Sequence, residues 1–367
     1  MKIIYIINSF GVGGAERHLL NLVRDTTTRK YDVSVVALEK KIKGGAASIE
    51  RELLDAGARI FYLNSYLASD IGRCIAFINI LRRINPDILH SHLPRSDFLA
   101  SIGKLLFPKI KWIFTVHDTY TEDKYRGYWV LPYLKKNWQS ADHTISVSRH
   151  VKEWTIECYS LSKEKCSVIY HGVQLYDTTN KKKNSNGSIL IGCLARFEKR
   201  KGIETLIYAM KEVVKQYPNS QLLLAGSDPT NYSYKIRNLA RTLKIEEHVK
   251  IIGFCQTPYD FLNSLDVFAY ASYSEGFGIV LIEAMSVKCP IVASDIYPIN
   301  YILEKDVSGL LAEPGDHQSF ALSIIDYLSN SKKRDRFVEK AYERCISDFS
   351  LGMSLEKVNN LYLRIIA

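Results

Sequence analysis

The amino-acid sequence predicts an α/β protein of two tandem doubly wound domains, each a parallel sheet covered by helices, facing each other across a cleft. Three observations predict it. The chain has 367 residues, and at roughly 150 residues per domain that length suits two cores. Short runs of β-branched and aromatic residues alternate with longer amphipathic stretches along the chain, and strands that alternate with helices form parallel sheets covered on both faces. One polar, basic and turn-forming segment, residues 174–188, interrupts the alternation near the middle.

Taken in order, the first domain is expected over residues 1–173, with strands at Ile3–Ile7, Asp32–Leu38, Arg59–Leu63, Ile88–His90, Trp112–Val116, Thr144–Val147 and Ser167–Tyr170. Residues 174–188 read as the linker. A second series, at Ile189–Ala195, Leu222–Ala225, Val249–Ile252, Val267–Tyr270 and Ile291–Ala293, builds the second domain over residues 189–348. Its helices include Ile203–Gln216 and Tyr234–Leu243. Residues 349–367 close the chain with an amphipathic helix, Leu351–Ile366, expected to pack back on the first domain.

Composition narrows the class. With 47% hydrophobic and 24% charged residues the chain is an ordinary globular protein rather than a disordered or fibrous one. The longest apolar runs, such as Trp112–Val116 and Ile279–Ile282, fall far short of the roughly 20 residues of a membrane span. The N-terminal Met1–Ile7 reads as a strand and not as a leader, because it ends at Asn8 without a small-residue cleavage pattern. Seven scattered cysteines with no C-x-x-C pair suit reduced thiols in a cytoplasm. Of the net charge of +10, most falls in residues 1–177, where 25 Lys and Arg face 18 Asp and Glu. That bias suits an anionic partner and equally a solvated surface.

Ligands of open α/β sheets bind beyond the carboxyl ends of strands, so functional motifs should follow strands. Directly after the first strand comes Gly11-Val12-Gly13-Gly14-Ala15-Glu16. Glycines before a helix N-terminus let backbone approach a phosphate, while the unpaired N–H groups and the dipole favour its charge. The dinucleotide fingerprint G-x-G-x-x-G wants a third glycine where Glu16 stands, although Glu39 could act as its ribose acid; a plain tight turn is the remaining reading. After the fifth strand stands His117, placed to polarise a substrate hydroxyl or, as the bland alternative, to bond Asp118. His90 and His92 follow an earlier strand with no third zinc ligand evident.

In the second domain four cations fall within Arg196–Lys201. Arg196 leaves a strand and Lys201 precedes Gly202 at a helix, so both could reach one phosphate, while Lys199 and Arg200 read as exposed. Further on, Glu275-Gly276-Phe277-Gly278 joins a strand to a helix that carries Glu283. Glu275 and the backbone of Gly276–Gly278 could grip sugar hydroxyls and a diphosphate, and Glu283 could accept two hydroxyls of a ribose. A glutamate on an apolar helix face is costly to bury without partners, which favours a functional role.

Together these residues resemble the retaining glycosyltransferases of family 4, along nearly the whole chain: the Gly13-Gly14-Ala15-Glu16 loop, His117, Arg196, Lys201-Gly202, Ala225-Gly226 and the Glu275/Glu283 pair. The resemblance implies the two-domain GT-B fold and sugar transfer from a nucleotide-diphosphate donor. Carried over by position, it implies Arg196 and Lys201 on the donor diphosphate, Glu275 and His117 on the donor sugar and Glu283 on the ribose. Gly13 and Gly14 would lie against the diphosphate, and Gly253 and Phe254 near the base. It implies a metal-independent site with no cofactor, and the chain carries no Asp-x-Asp motif. The sequence departs from the family pattern at His171-Gly172-Val173-Gln174, at Ala195 and at Tyr297-Pro298-Ile299-Asn300.

The acceptor implied is a glycan or lipid-linked hydroxyl in bacterial surface polysaccharide or glycolipid synthesis. Between His117 and Ala141, Tyr120, Tyr125, Tyr128, Trp129, Tyr133 and Trp138 interleave with Lys124, Arg126, Lys135 and Lys136. Such a mixture suits a headgroup interface, hence a cytoplasmic protein peripheral on the inner face of the membrane, and equally a half-buried helix pair. A nonhydrolysing nucleotide-sugar epimerase and a non-catalytic nucleotide-sugar-binding scaffold share the architecture, whereas no nucleic-acid motif concentrates the charge.

Overall fold

The computed structural model describes residues 1–39, 48–63, 70–119, 137–176, 187–305 and 307–367. The chain divides into two units: Met1–His171 with Gly352–Ala367, and Gly172–Leu351.

The first unit is built on β1 (Lys2–Ile7), β2 (Asp32–Ala37), β3 (Arg59–Tyr62), β4 (Ile88–His92), β5 (Lys111–Val116), β6 (His143–Ser146) and β7 (Cys166–Val168). All pair in parallel, in the order β3-β2-β1-β4-β5-β6-β7. Burial explains the near-continuous apolar runs. Every residue of β1 after Lys2 is buried, as a central strand with helices on both faces requires. The connections begin with α1 (Gly14–Thr28), α2 (Glu50–Asp55), α3 (Asp70–Ile84), α4 (Pro94–Leu106) and α5 (Arg149–Tyr159). Strand order reverses between β1 and β4, so the carboxyl ends of these two strands flank the switch point where such sheets take ligands.

The second unit repeats the plan. Strands β8 (Ile189–Leu194), β9 (Ser220–Ala225), β10 (Val249–Gly253), β11 (Val267–Tyr270), β12 (Ile291–Ser294) and β13 (Leu310–Ala312) form a parallel sheet in the order β10-β9-β8-β11-β12-β13. Its switch point lies between β8 and β11. The helices are α6 (Ile203–Gln216), α7 (Ser233–Thr242), α8 (Pro258–Asn263), α9 (Ile279–Ser286), α10 (Ile299–Ile302), α11 (His317–Ser329) and α12 (Ser331–Phe349). Some elements go beyond the sequence expectation. β13 is too short for a period to show, and α12 is a charged helix that buries only a narrow stripe, Phe337, Ala341, Arg344, Cys345 and Phe349.

The last helix, α13 (Leu351–Ile366), belongs to the first unit from Gly352 onward. Val358, Leu361 and Tyr362 enter that unit's core. The Tyr362 hydroxyl lies 2.6 Å from His90 Nδ1 and donates to Tyr5 Oη at 3.2 Å. Ser354 Oγ donates to the Tyr170 carbonyl at 2.7 Å. Tyr120–Lys136, most of the proposed headgroup segment, and residues 177–186 of the proposed linker lie outside the described residues. Trp138 corrects the interfacial reading: it is fully buried, stacked on Phe114 and edge-on to Tyr159. Among the described residues no helix is long and apolar enough to cross a membrane.

Candidate active site

At the second unit's switch point two loops meet. The chain leaves β8 through Ala195–Gly202 and leaves β11 through Ala271–Gly278. They are bonded by Tyr273 N–H to the Arg200 carbonyl at 2.8 Å, with Ser272 Oγ 3.2 Å from the same carbonyl. Contact this close needs Gly202. Its φ is +61°, and a Cβ there would stand 2.0 Å from the Ala271 carbonyl oxygen.

The approach folds Lys201 inward. Its ammonium lies 2.5 Å from Glu275 Oε1 and 2.9 Å from Tyr270 Oη, with the two charged side chains only 8% and 9% exposed. Glu275 Oε1 also accepts from Tyr270 Oη and from Ser272 Oγ, each at 2.6 Å, while Arg200 Nη1 stands 3.9 Å from Oε2. Burial by itself would raise the Glu275 carboxyl; the charges of Lys201 and Arg200 and the hydrogen bonds outweigh it and hold it at about 2. Burial pulls the Lys201 ammonium down, against the Glu275 charge. Burial, then Glu275, pushes the Tyr270 phenol well up. The result is a charged pair in a dry setting. Its carboxylate has one oxygen, Oε1, held by three donors, and the other, Oε2, beside the Arg200 guanidinium.

Around this pair the sequence-predicted residues sort clearly. Arg196 is 58% exposed and paired with Glu198 at 3.1 Å. Arg200 departs from its expected place in solvent: its side chain is mostly covered, bonded to Glu198 at 3.0 Å and to the Ser274 carbonyl at 3.1 Å. Gly276 and Phe277 are buried, and Gly278 caps α9 at φ +97°. Glu283 is buried on α9, eight positions after the loop carboxylate. Gly253 ends β10 at a bulge, with its carbonyl accepting from Gly226 N–H at 2.7 Å, and Phe254 next to it is 41% exposed.

His117, Gly13 and Gly14 belong to the first unit. Gly13 is the N-cap of α1 and Gly14 its exposed first residue. His117 does not take the bland role beside Asp118, whose carboxylate accepts from Thr119 N–H. Its Nε2 lies 3.1 Å from His92 Nδ1, its ring stacks on His171, and His18 meets it edge-on. His90 contacts His92 in turn, at 4.4 Å between centroids. Burial lowers His18 to about 4 and His90 to about 3, and holds His92, His117 and His171 well below their ordinary value, so the cluster is neutral. Glu39, weighed as a ribose acid, is paired with Arg95 at 2.7 Å. Among the described residues no group of three or more His, Cys, Asp or Glu is arranged to hold a metal ion.

Sequence reasoning missed the part played by Tyr270 and Ser272, which lie close to residues it named, and misread Arg200 as exposed. It also missed His18 and His171, which no spacing connects to His92 or His117.

Comparison with known proteins identifies the family and the fold. The family model described as "Glycosyltransferase Family 4" matches residues 12–176, and "Glycosyl transferases group 1" matches residues 177–344. An O-antigen biosynthesis glycosyltransferase, WclY of Escherichia coli, is 26% identical over 99% of this chain and 98% of its own. CapM of Staphylococcus aureus, a capsular polysaccharide biosynthesis glycosyltransferase, is 25% identical over 81% of each chain. The crystal structure of Anabaena HepE in complex with UDP and glucose superposes with a TM-score of 0.84 at 19% identity, covering 98% of this chain and 99% of that one. This likeness identifies the fold as GT-B.

Proposed function

This chain belongs to glycosyltransferase family 4, and we propose that it is a retaining, metal-independent enzyme that moves a sugar from a nucleotide-diphosphate donor to a hydroxyl of a glycan or lipid-linked acceptor. A UDP-sugar is the favoured donor over a GDP-sugar, and bacterial surface polysaccharide or glycolipid synthesis is the setting. The names of WclY and CapM and the UDP held by HepE support these choices.

The observation that carries the reading is the buried Lys201–Glu275 pair at the second unit's switch point. Lys201 and Arg196 would neutralise the charge that develops on the departing diphosphate, the main source of rate in such a transfer. Glu275 would accept hydroxyls of the donor sugar, with Gly276, Phe277 and Gly278 shaping the turn beside it. Glu283 would hold the ribose, and Gly253 and Phe254 would meet the base. From the first unit, His117 would touch the donor sugar, with Gly13 and Gly14 against the diphosphate. As the bond from the anomeric carbon to phosphate oxygen breaks, the acceptor oxygen bonds to that carbon from the same face. Its proton passes to the leaving phosphate, so no protein nucleophile is needed. Residues 120–136 would supply the contact with an anionic membrane surface, which liposome flotation tests.

The direct test is thermal shift against UDP, GDP, ADP and NAD, with and without EDTA, since a ligand of the native state raises its apparent stability. A metal-independent rise with UDP is expected. A rise with NAD alone, or with none of the four, overturns the reading. Inversion at the anomeric carbon of the isolated product overturns retention.

A further inference from the structure

Two neighbouring helices of the first unit, α3 and α4, hold aliphatic side chains out in water. On α3, Ile71, Ile75 and Ile78 recur at helical spacing, and the first two are 72% and 53% exposed. On α4, Phe98, Ile102 and Leu105 repeat the pattern, with Leu105 80% and Leu106 51% exposed. Each helix returns the chain from the carboxyl end of one strand to the amino end of the next, so the two run the same way. They also touch: a Cβ on Gly103 would stand 2.9 Å from Leu81 Cδ1 and 3.3 Å from the Phe77 ring. Phe77 and Leu81 of α3 and Leu99 and Ala100 of α4 are buried. Each helix is thus apolar on two faces, and the core accounts for only one.

Charge points to what covers the other. Residues 71–86 and 98–117 hold six Lys and Arg and no Asp or Glu. Acids next to them are engaged: Asp142 is paired with Lys104 at 2.7 Å, and Asp87 accepts from the Lys2 N–H at 2.7 Å. Arg82 and Arg83 near the end of α3 and Lys109 just past α4 are exposed, with no ion pair among the described residues. A second copy of this chain seated symmetrically here would set an acid-free surface against itself, cation to cation. An anionic bilayer surface suits both features, because it takes up aliphatic side chains at the headgroup boundary and attracts the cations that border them.

We propose that the α3–α4 face docks the protein on an anionic membrane surface, with Ile71, Ile75, Leu105 and Leu106 entering the headgroup boundary and Arg82, Arg83 and Lys109 meeting lipid phosphates. This deepens the reading above of a lipid-linked acceptor, on which it rests, and adds a contact separate from residues 120–136.

The test is flotation with vesicles of phosphatidylcholine alone and of phosphatidylcholine mixed with phosphatidylglycerol. The unaltered protein is expected to float with the mixed vesicles and far less with phosphatidylcholine alone. Ile71→Gln with Ile75→Gln, Leu105→Gln with Leu106→Gln, and the triple variant Arg82→Gln, Arg83→Gln and Lys109→Gln should each lower the bound-to-free ratio on mixed vesicles about tenfold or more. Leu322→Gln, at an exposed leucine of α11 in the second unit, should leave it unchanged. Flotation of the unaltered protein that all three variants match overturns the α3–α4 face and leaves a membrane contact elsewhere. No flotation of the unaltered protein, or a dimer in light scattering that the Ile71 and Ile75 changes dissociate, overturns the proposal as well. Should an aliphatic variant fail to fold, the triple charge variant, which removes no packed side chain, still decides. The thermal shift with UDP judges the transferase reading on its own: its absence in the unaltered protein overturns that reading, whatever the vesicles show.

Discussion

The two units share a strand order and differ in what they bury where that order reverses. Beyond β8 and β11 the second unit buries opposite charges, Lys201 against Glu275. Beyond β1 and β4 the first unit buries neutral rings, His92 against His117 with His18 and His171 around them. Topology therefore places a site without choosing its chemistry, which side chains decide. The difference has an electrostatic consequence. A paired carboxylate resists protonation, whereas an imidazole kept neutral by burial stores a cost that acid releases.

The sharpest way to break the contrast is to remove one charge. Lys201→Met leaves Glu275 buried with only two hydroxyls and Arg200 at 3.9 Å to offset its charge, which should cost the second unit about 3 kcal/mol in denaturant unfolding and abolish transfer. The double variant Lys201→Met with Glu275→Gln should recover most of the stability and none of the transfer. A single variant as stable as the unaltered protein, or an active double variant, would show that the pair is not the seat of function.

Acid should separate the units next. His18 and His90, with ordinary values of 6.5, sit at about 4 and about 3 in the fold. Above 6.5 neither folded nor unfolded chain holds these protons. As pH falls below 6.5 the unfolded chain takes them up first, so stability is lost progressively down to the folded values. At about pH 5 each histidine held neutral costs about 2 kcal/mol. Glu275, held at about 2 against an ordinary 4.5, loses its contribution only below 4.5. Hydrogen exchange between these limits should therefore show protection falling in the first unit and not in the second. Equal loss in both would contradict the assignment of the two electrostatic designs.

The alternation of strands and helices was legible because parallel strands buried on both faces must be apolar throughout, and β1 and β11 show this in their residues. The charged pair was half legible: Lys201 and Glu275 follow strands, and a cation or carboxylate there invites a functional reading. Their link through Tyr270 and Ser272 was not, because hydrogen bonds between two loops separated by some seventy residues leave no period in a sequence. The histidine cluster was less legible still. His18 comes from α1, His92 from β4, His117 from the end of β5 and His171 from the end of the first unit's main segment, so only the fold assembles them. Arg200 was misread because its charge suggests solvent, whereas its side chain is mostly covered and its head meets Glu198 and the Ser274 carbonyl.

A smaller effect sharpens the neutral side of the comparison. Tyr362→Phe deletes the hydroxyl that meets His90 Nδ1 and Tyr5 Oη inside the first unit. It leaves the imidazole nitrogen without its partner, and a loss of about 1–3 kcal/mol is expected, confined to the first unit. Because this bond ties α13 to β4, exchange of the α13 amides should rise before that of β8 or β11. An unchanged α13 would mean that apolar packing of Val358 and Leu361 alone holds the helix.

The least change in stability is expected where the second unit exposes an aromatic ring. Phe254 follows the bulge that ends β10 and is 41% exposed, so Phe254→Ala removes little packing and should leave stability within about 0.5 kcal/mol. Its place beyond a strand of the same sheet that carries Lys201 and Glu275 gives it a different use, as a face for the nucleotide base. Stacking of a base on an aromatic side chain contributes about 1–3 kcal/mol, so UDP affinity should fall about tenfold in calorimetric titration. The loss should be the same for UDP and for a UDP-sugar, because the ring would meet the base and not the transferred group. A larger loss for the UDP-sugar than for UDP would move Phe254 from the base to the sugar, and no loss in either would leave its exposure without a part in donor binding.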